Sequence, residues 1–267
     1  EGLLRVVEGW RARGGRVALL GPSPHVRARL VAADRGGALE GSIATTAREI
    51  EPILEKSAGL LGRPHLLAGL EHFREQMREH YDSLFSQLAD GQHPHTMFIT
   101  CADSRISPSL LMGAHPGDIF IVRCIGALVP PASADHMPQE GAALEYGVGV
   151  LGVRHVVVCG HSKCGAISAL KKGKVPSELA TLGKWAEHAA RIAGDLSSFE
   201  DPDEAARAVT VRQLENLKSY PLVRERIESG ALEIHAWFYD LGEVEVFEWD
   251  GARGEYVVVG RQRAGEA

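Results

Sequence analysis

The sequence predicts an α/β fold in which a mostly parallel β-sheet is flanked by helices. Short apolar runs at 96–100, 119–122 and 155–159 alternate with longer helical patterns. Strands that are apolar on both faces are typical of a parallel sheet covered by helices on each side. Turn residues separate these runs, as in the Pro-Gly-Asp sequence at 116–118.

The residues before position 57 predict a small α/β segment of their own. Helices are expected at 3–13, 22–32 and 45–55, with a buried strand at 17–20. One strand with three helices cannot complete a sheet domain. We therefore predict a partial segment with its linker at 1–57 and a main domain at 58–267.

The main domain continues the alternation of helices and strands. Apolar residues at helical spacing predict a helix over 66–88, and small residues favour another over 140–151. Further helices are expected at 182–196 and 204–217, and one that opens at Cys164. A strand at 232–239 is expected to pair with 243–249 as a hairpin.

The overall composition excludes several classes of protein. The 267 residues carry a net charge of −6, which does not favour nucleic acid as a partner. No apolar run approaches the roughly 20 residues needed to cross a bilayer, so we expect no membrane span in this chain. Four cysteines in a chain this long do not predict a disulfide framework, and they favour a reducing, cytoplasmic compartment. The chain begins at Glu1 rather than Met, which indicates a processed product or part of a longer protein.

Potential metal ligands follow two of the predicted strands. Cys101, Asp103 and Arg105 come directly after the first strand, and His161 and Cys164 after the third. Because ligands collect at the carboxyl ends of parallel strands, we expect these residues to meet at one edge of the sheet. Two thiolates and one imidazole are a favourable donor set for zinc. Three protein ligands leave one position for water, which is typical of a catalytic site.

Two segments carry a family resemblance that covers about residues 66–250. The sequences CADSRISPSLLMGAHPGDIFIVR and EGAALEYGVGVLGVRHVVVCGHSKCGA resemble β-carbonic anhydrases. The resemblance implies one zinc ion per subunit, bound by Cys101, His161 and Cys164. It also implies reversible hydration of CO₂ to bicarbonate and a proton by attack of a zinc-bound hydroxide.

The same resemblance implies roles for other residues. Asp103 and Arg105 match the pair that orients the hydroxide. Four positions match the family's substrate pocket: Gln92, Phe120, Tyr146 and the backbone N–H of Gly165. In the family, the aromatic residues of the pocket come partly from a partner subunit. The family is built on dimers, so a homodimer or a higher even oligomer is expected. The sequence departs from the family pattern at Cys124 and Ala127, where asparagines are common.

The first 55 residues resemble the second half of a STAS domain, the cytoplasmic tail of many SulP-type anion permeases. The sequence RARGGRVALLGPSPHVRARL carries most of this resemblance. It implies that the enzyme is tethered to a membrane transporter and supplies or removes bicarbonate at its cytoplasmic side. A plain amphipathic extension is the alternative.

Two other functions remain open for the main domain. Related folds hydrolyse carbon disulfide or carbonyl sulfide with the same zinc ligands. Alternatively, zinc could serve folding alone in a non-catalytic regulatory module.

Overall fold

The computed structural model describes residues 19–20, 43–44, 63–133 and 139–259. The chain forms two compact units, at 1–83 and 84–267. In the first unit, strand β1 pairs in parallel with strand β2, which the sequence did not predict, over Leu19–Leu20 and Ile43–Ala44. The three predicted N-terminal helices and the predicted boundary at 57 lie outside the described residues.

The helix predicted over 66–88 is divided into three consecutive segments. Helix α1 spans Arg63–His72, a π-helical turn follows over Phe73–Met77, and helix α2 spans Arg78–Leu88. A π turn adds one residue to the helical repeat, so it shifts the side chains that follow to a different face. The apolar spacing did not predict this interruption.

The second unit is built on a six-stranded sheet with the order β4-β3-β5-β6-β7-β8. The first four of these strands are parallel, and β7 and β8 extend the sheet as antiparallel strands. The strands are β3 (Thr96–Cys101), β4 (Ile119–Cys124), β5 (His155–His161), β6 (Glu233–Asp240), β7 (Glu245–Asp250) and β8 (Glu255–Val258). The α/β fold with a mostly parallel sheet is confirmed, as is the hairpin; β8 was not expected.

The helices connect the strands and cover the sheet. They are α3 (Pro108–Met112), α4 (Gln139–Glu145), α5 (Gly165–Lys172), α6 (Ala180–Ala193), α7 (Pro202–Lys218) and α8 (Pro221–Glu228). A 3₁₀ turn at Ile125–Ala127 follows β4, and a π turn at Tyr146–Val150 extends α4. Helices α3 and α8 were not predicted.

Successive side chains along the central strands point alternately into two hydrophobic cores, one on each face of the sheet. Phe98 and Val157 point into the core that includes residues of α6 and α7. Met97 and Val156 point into the opposite core, which includes residues of α4 and α8. Burial on both faces explains why these strands are continuously apolar in the sequence.

A close approach between α7 and β5 brings the helix against the strand beside the candidate site. A Cβ atom at Gly160 would lie 3.3 Å from Thr210 Cβ and closer still to the Thr210 hydroxyl. Only glycine leaves room for the helix here. The next residue, His161, is the last of β5.

Within the described part of the chain, no helix combines the length and apolar character needed to cross a membrane.

Candidate metal centre

Three side chains meet at the carboxyl ends of two neighbouring central strands. Cys101 is the last residue of β3 and His161 the last of β5. Cys164 follows three residues later, directly before the first residue of α5. The two thiols and the imidazole place one donor atom each within 4.8 Å of one another, and all three side chains are buried. The geometry brings together the three residues that the sequence predicted as ligands.

The imidazole of His161 presents an unpaired nitrogen to this cluster. Its Nδ1 lies 2.9 Å from the Ser162 carbonyl oxygen and donates to it. Nε2 is therefore the nitrogen with the lone pair. The residue is 1% exposed, and Nε2 has no hydrogen-bond partner. A buried acceptor without a partner is costly, and a metal ion bound at this nitrogen would remove that cost.

The two thiols supply the remaining donors. A hydrogen bond from Cys164 lowers the pKa of the Cys101 thiol to about 4. The same contact, together with burial, raises the pKa of Cys164. The amide of Gly126 also donates to Cys101 Sγ over 3.4 Å. Cys101 is thus the more acidic of the two thiols, and a divalent cation bound here would displace thiol protons.

The residues fit zinc. Zn²⁺ binds thiolate sulfur and imidazole nitrogen, and its catalytic sites use three protein ligands. The buried nitrogen and the two thiols provide this set.

Asp103 and Arg105 form a two-pronged ion pair beside the cluster. Arg105 Nε and NH2 donate to the two carboxylate oxygens over 2.9 and 2.7 Å. The Arg105 amide donates to the same carboxylate over 2.9 Å. These bonds hold the pKa of Asp103 well below its usual range and raise the pKa of Arg105. Asp103 Oδ2 lies 3.9 Å from His161 Nε2, so the ionised carboxylate faces the donor atoms.

The loop between His161 and Cys164 is fixed through the peptide of Lys163. Lys163 has a φ of 57°, a left-handed conformation that is unfavourable for a lysine. Its N–H donates to Asp203 Oδ1 over 2.7 Å, and its carbonyl accepts from Arg105 NH2 over 3.1 Å. The Lys163 ammonium also lies 3.0 Å from Asp203 Oδ2. Asp203 was not predicted as a site residue, because an acidic residue in the first turn of a helix is common and does not indicate this contact.

A second residue missed by the sequence analysis holds the loop after β3. Arg123, on the neighbouring strand β4, donates from NH1 to the carbonyls of Cys101 (3.2 Å) and Asp103 (3.3 Å). Its NH2 donates to the carbonyl of Ile106. The side chain therefore fixes the backbone on both sides of the aspartate. Arg123 lies opposite Thr100 in the pairing of β3 with β4, and the sequence alone does not show this alignment.

Gly165 lies next to the cluster. It is the first residue of α5 and follows Cys164 directly. The partial positive charge at a helix N-terminus favours a thiolate or an anionic substrate at this point. Its backbone N–H is one of the four that the first turn of a helix leaves without an intrahelical partner.

The other predicted pocket residues do not reach this cluster within one chain. Phe120 and Tyr146 pack together, with ring centroids 5.9 Å apart. Phe120 pairs with Met97, four residues before Cys101, which corresponds to roughly 13 Å along the strand. Gln92 precedes β3 and so lies toward the opposite end of the sheet. None of these three side chains belongs to the group of donor atoms formed by Cys101, His161 and Cys164.

The residues that depart from the family pattern lie at the end of β4 and in the turn that follows it. Cys124 is buried, and burial raises the pKa of its thiol to about 12. Gly126 and Ala127 both have positive φ, at 77° and 53°. This turn aims the Gly126 amide at Cys101. Ala127 is a costly residue at this conformation, in which asparagine is better tolerated.

Known proteins are similar in sequence to more than half of this chain. The carbonic anhydrase family model matches residues 96–246. A carbonic anhydrase of Synechococcus elongatus is 39% identical over 191 residues, covering 68% of this chain and 70% of its own. A carbonic anhydrase of Pseudomonas aeruginosa is 36% identical over 201 residues, covering 72% of this chain and 90% of its own.

Solved structures of β-carbonic anhydrases superimpose on this chain. The β-carbonic anhydrase CcaA superimposes with a TM-score of 0.67 at 36% identity, over 75% of this chain and 92% of its own. Two Sordaria macrospora β-carbonic anhydrases are described as tetrameric, and the match has a TM-score of 0.56 at 26% identity, over 75% of this chain and 98% of that one. The fold and its sequence therefore define an enzyme of the carbonic anhydrase type. The chain belongs to the β-carbonic anhydrase family.

Proposed function

We propose that the chain hydrates CO₂ to bicarbonate and a proton with a zinc ion bound by Cys101, His161 and Cys164. The observation that carries this proposal is the buried, unpaired Nε2 of His161 beside two thiols. When bound, zinc lowers the pKa of a water molecule so that hydroxide is available near neutral pH. The remaining chemistry belongs to the side chains around the ion.

Asp103 orients the nucleophile in this proposal. As an ionised carboxylate it only accepts hydrogen bonds. It would therefore accept a hydrogen bond from the O–H of the hydroxide, and this contact would leave an oxygen lone pair directed at the carbon of CO₂. Arg105 keeps the carboxylate ionised and fixes its plane through the two parallel bonds. The backbone N–H of Gly165 is available to a substrate oxygen.

The charge of the donor set predicts the pH dependence. Two thiolates cancel the formal charge of a divalent ion, so bound water is acidified less than beside three neutral ligands. We expect turnover to rise toward alkaline pH. A turnover that stays flat from mildly acidic to alkaline pH would contradict this electrostatic argument.

We propose that two copies of the chain complete each other's pockets, in a homodimer or a higher even oligomer. Phe120 lies four residues along the strand from the level of Cys101, and Tyr146 packs against Phe120. Gln92 precedes the first residue of β3, whereas Cys101 is its last. Tyr146 is 43% exposed, as expected for a residue that another copy covers. Tyr146→Arg should give a smaller species in sedimentation and a lower CO₂ hydration rate. A variant that keeps both the wild-type mass and rate would contradict the shared pocket.

The activity is tested by metal analysis and stopped-flow CO₂ hydration on the same preparations. Wild type should hold zinc and hydrate CO₂. Asp103→Ala should keep the zinc but lose most of the rate, and Cys101→Ser should lose both. Asp90→Ala, which removes an exposed carboxylate before β3, is the matched control and should behave as wild type.

The same assays separate the rival functions. Turnover of carbon disulfide or carbonyl sulfide without CO₂ hydration would favour the sulfur hydrolase. Zinc retention with CO₂ hydration only at the buffer rate would favour a regulatory module. Either result overturns the proposed reaction.

We also propose that residues 1–57 belong to a STAS-like segment that tethers the enzyme to an anion permease at the cytoplasmic face of a membrane. The parallel pairing of Leu19–Leu20 with Ile43–Ala44 supports an α/β segment, because parallel strands need a long crossover. The test is to sequence the native gene upstream of the codon for Glu1. A coding region there without apolar spans of about 20 residues would rule out the tether.

A further inference from the structure

A second group of metal-binding side chains lies at the opposite end of the sheet. His155 is the first residue of β5 and pairs with Glu233, the first residue of β6. His235 lies two residues further along β6, on the same face of the sheet. The three side chains bring one donor atom each within 4.8 Å of one another.

The distances between these donors suit a single transition-metal ion. His155 Nδ1 and His235 Nε2 are 3.3 Å apart. Two nitrogens bound to zinc at about 2.0–2.1 Å in a tetrahedron are also about 3.3 Å apart. Glu233 Oε2 lies 3.8 Å from each nitrogen, and its side chain is 71% exposed. A small rotation of this exposed carboxylate brings its oxygen to the third corner.

A carboxylate on the next strand orients one of the imidazoles. His235 Nδ1 lies 2.7 Å from Glu248 Oε1 on β7 and donates its proton there. Nε2 of His235 is therefore the lone-pair nitrogen, and it is the atom that faces His155. Histidine ligands of metal ions usually donate their other N–H to a carboxylate in this way.

We infer that His155, His235 and Glu233 form a second metal site, which binds a divalent transition-metal ion of the zinc type. The ligands of this site are two imidazoles and one carboxylate. Glu248 is not a ligand but accepts the hydrogen bond from His235 Nδ1. A cleft of about 340 Å³, lined in part by His155 and His235, gives an ion access from solvent. The donor chemistry selects zinc, cobalt, nickel or copper over magnesium or calcium, which prefer oxygen ligands.

This site is independent of the proposed catalytic centre. His155 and His161 lie at opposite ends of β5, which corresponds to roughly 20 Å along the strand. The two sites share no ligand. An ion here would instead join the starts of β5 and β6, so its binding can succeed or fail regardless of CO₂ hydration.

Cobalt titration of the purified chain tests the inference. Thiolate-bound Co²⁺ absorbs strongly in the near ultraviolet, whereas Co²⁺ bound by imidazole and carboxylate contributes only weaker visible bands. Wild type should bind two equivalents of Co²⁺, one with each signature. His235→Ala should bind one equivalent and keep the near-ultraviolet band. His93→Ala, which removes an exposed histidine outside the cluster, should still bind two.

A conservative variant separates a built site from adventitious binding. Glu248→Gln keeps the size of the side chain but removes the charge behind His235, and it should weaken the second equivalent by about 10- to 100-fold. The inference is overturned if wild type binds Co²⁺ only with the near-ultraviolet thiolate band and shows no equivalent that His235→Ala lacks, which would leave the two histidines as a hydrogen-bonded pair. It is also overturned if a second equivalent binds to His235→Ala as tightly as to wild type.

Discussion

Replacing Asp203 with alanine removes the acceptor that holds the Lys163 amide between two of the proposed zinc ligands. The lost bond is a hydrogen bond of 2.7 Å from a backbone N–H to a carboxylate. Bonds of this charged type contribute about 1.5–3 kcal/mol. The left-handed conformation of Lys163 costs about 1–2 kcal/mol, so without Asp203 the metal-free loop should relax away from it.

The expected result is a weaker affinity for zinc. If the ion must restore the loop that Asp203 now fixes, the lost 1.5–3 kcal/mol corresponds to about 10- to 140-fold in the dissociation constant. Competition against a chromophoric zinc chelator measures this ratio directly. Asp203→Asn keeps an acceptor oxygen and should fall between wild type and Asp203→Ala.

Two controls isolate the peptide hydrogen bond. Lys163→Met keeps the amide but removes the ion pair, in which the lysine side chain is 74% exposed. Exposed pairs contribute about 0–1 kcal/mol, so its effect should stay below about fivefold. Glu204→Ala removes another acid from the first turn of α7 and controls for the helix itself. Equal losses in Lys163→Met and Asp203→Ala would refute the reasoning, because the ion pair would then account for the whole effect.

Three further outcomes follow from the structure. Gly160→Ala should lower the free energy of unfolding by about 1–3 kcal/mol, because its methyl group meets Thr210; a change below about 0.5 kcal/mol in urea denaturation would contradict this. Cys124 and Cys159, both buried with pKa values raised to about 12, should resist a thiol reagent at pH 8 in the folded protein and react after unfolding. The pKa of Asp103 is lowered on folding, so its ion pair stabilises the protein fully above the ordinary carboxyl pKa of about 4, and this contribution declines as the pH falls from that value towards the lowered pKa of the folded state. The difference in stability between metal-free wild type and Asp103→Asn should therefore be largest at pH 6 and shrink steadily as the pH is lowered below about 4, and a difference that does not change with pH would count against the ion pair.

The sequence was most informative where potential metal ligands come at the end of a predicted strand. Cys101 and His161 could be placed together because each directly follows an apolar run, and parallel strands bring their carboxyl ends to one edge. The hairpin after β6 was also predictable, since alternating residues there mark strands with one exposed face. Local patterns of this kind were sufficient to predict the fold class and the candidate ligands.

Contacts that depend on register were not predictable from one sequence. Arg123 bonds the loop after Cys101 only because β4 pairs with β3 in one particular alignment. Asp203 lies 40 positions after Lys163 and reaches it only because α7 packs back onto β5 at Gly160. The π turns were missed for a related reason, because helical spacing does not show a single extra residue.

The location of the proposed zinc ligands on β3 and β5 has a consequence for folding. Cys101 and His161 are separated by 60 positions (161 − 101), so closing that loop costs chain entropy before the two side chains can meet. The ligand set therefore exists only after β3 and β5 have paired, and an unfolded chain offers a metal ion only scattered donors. An ion captured there binds the native state in preference to the unfolded one, so it stabilises the whole domain by mass action and makes its melting temperature depend on metal concentration.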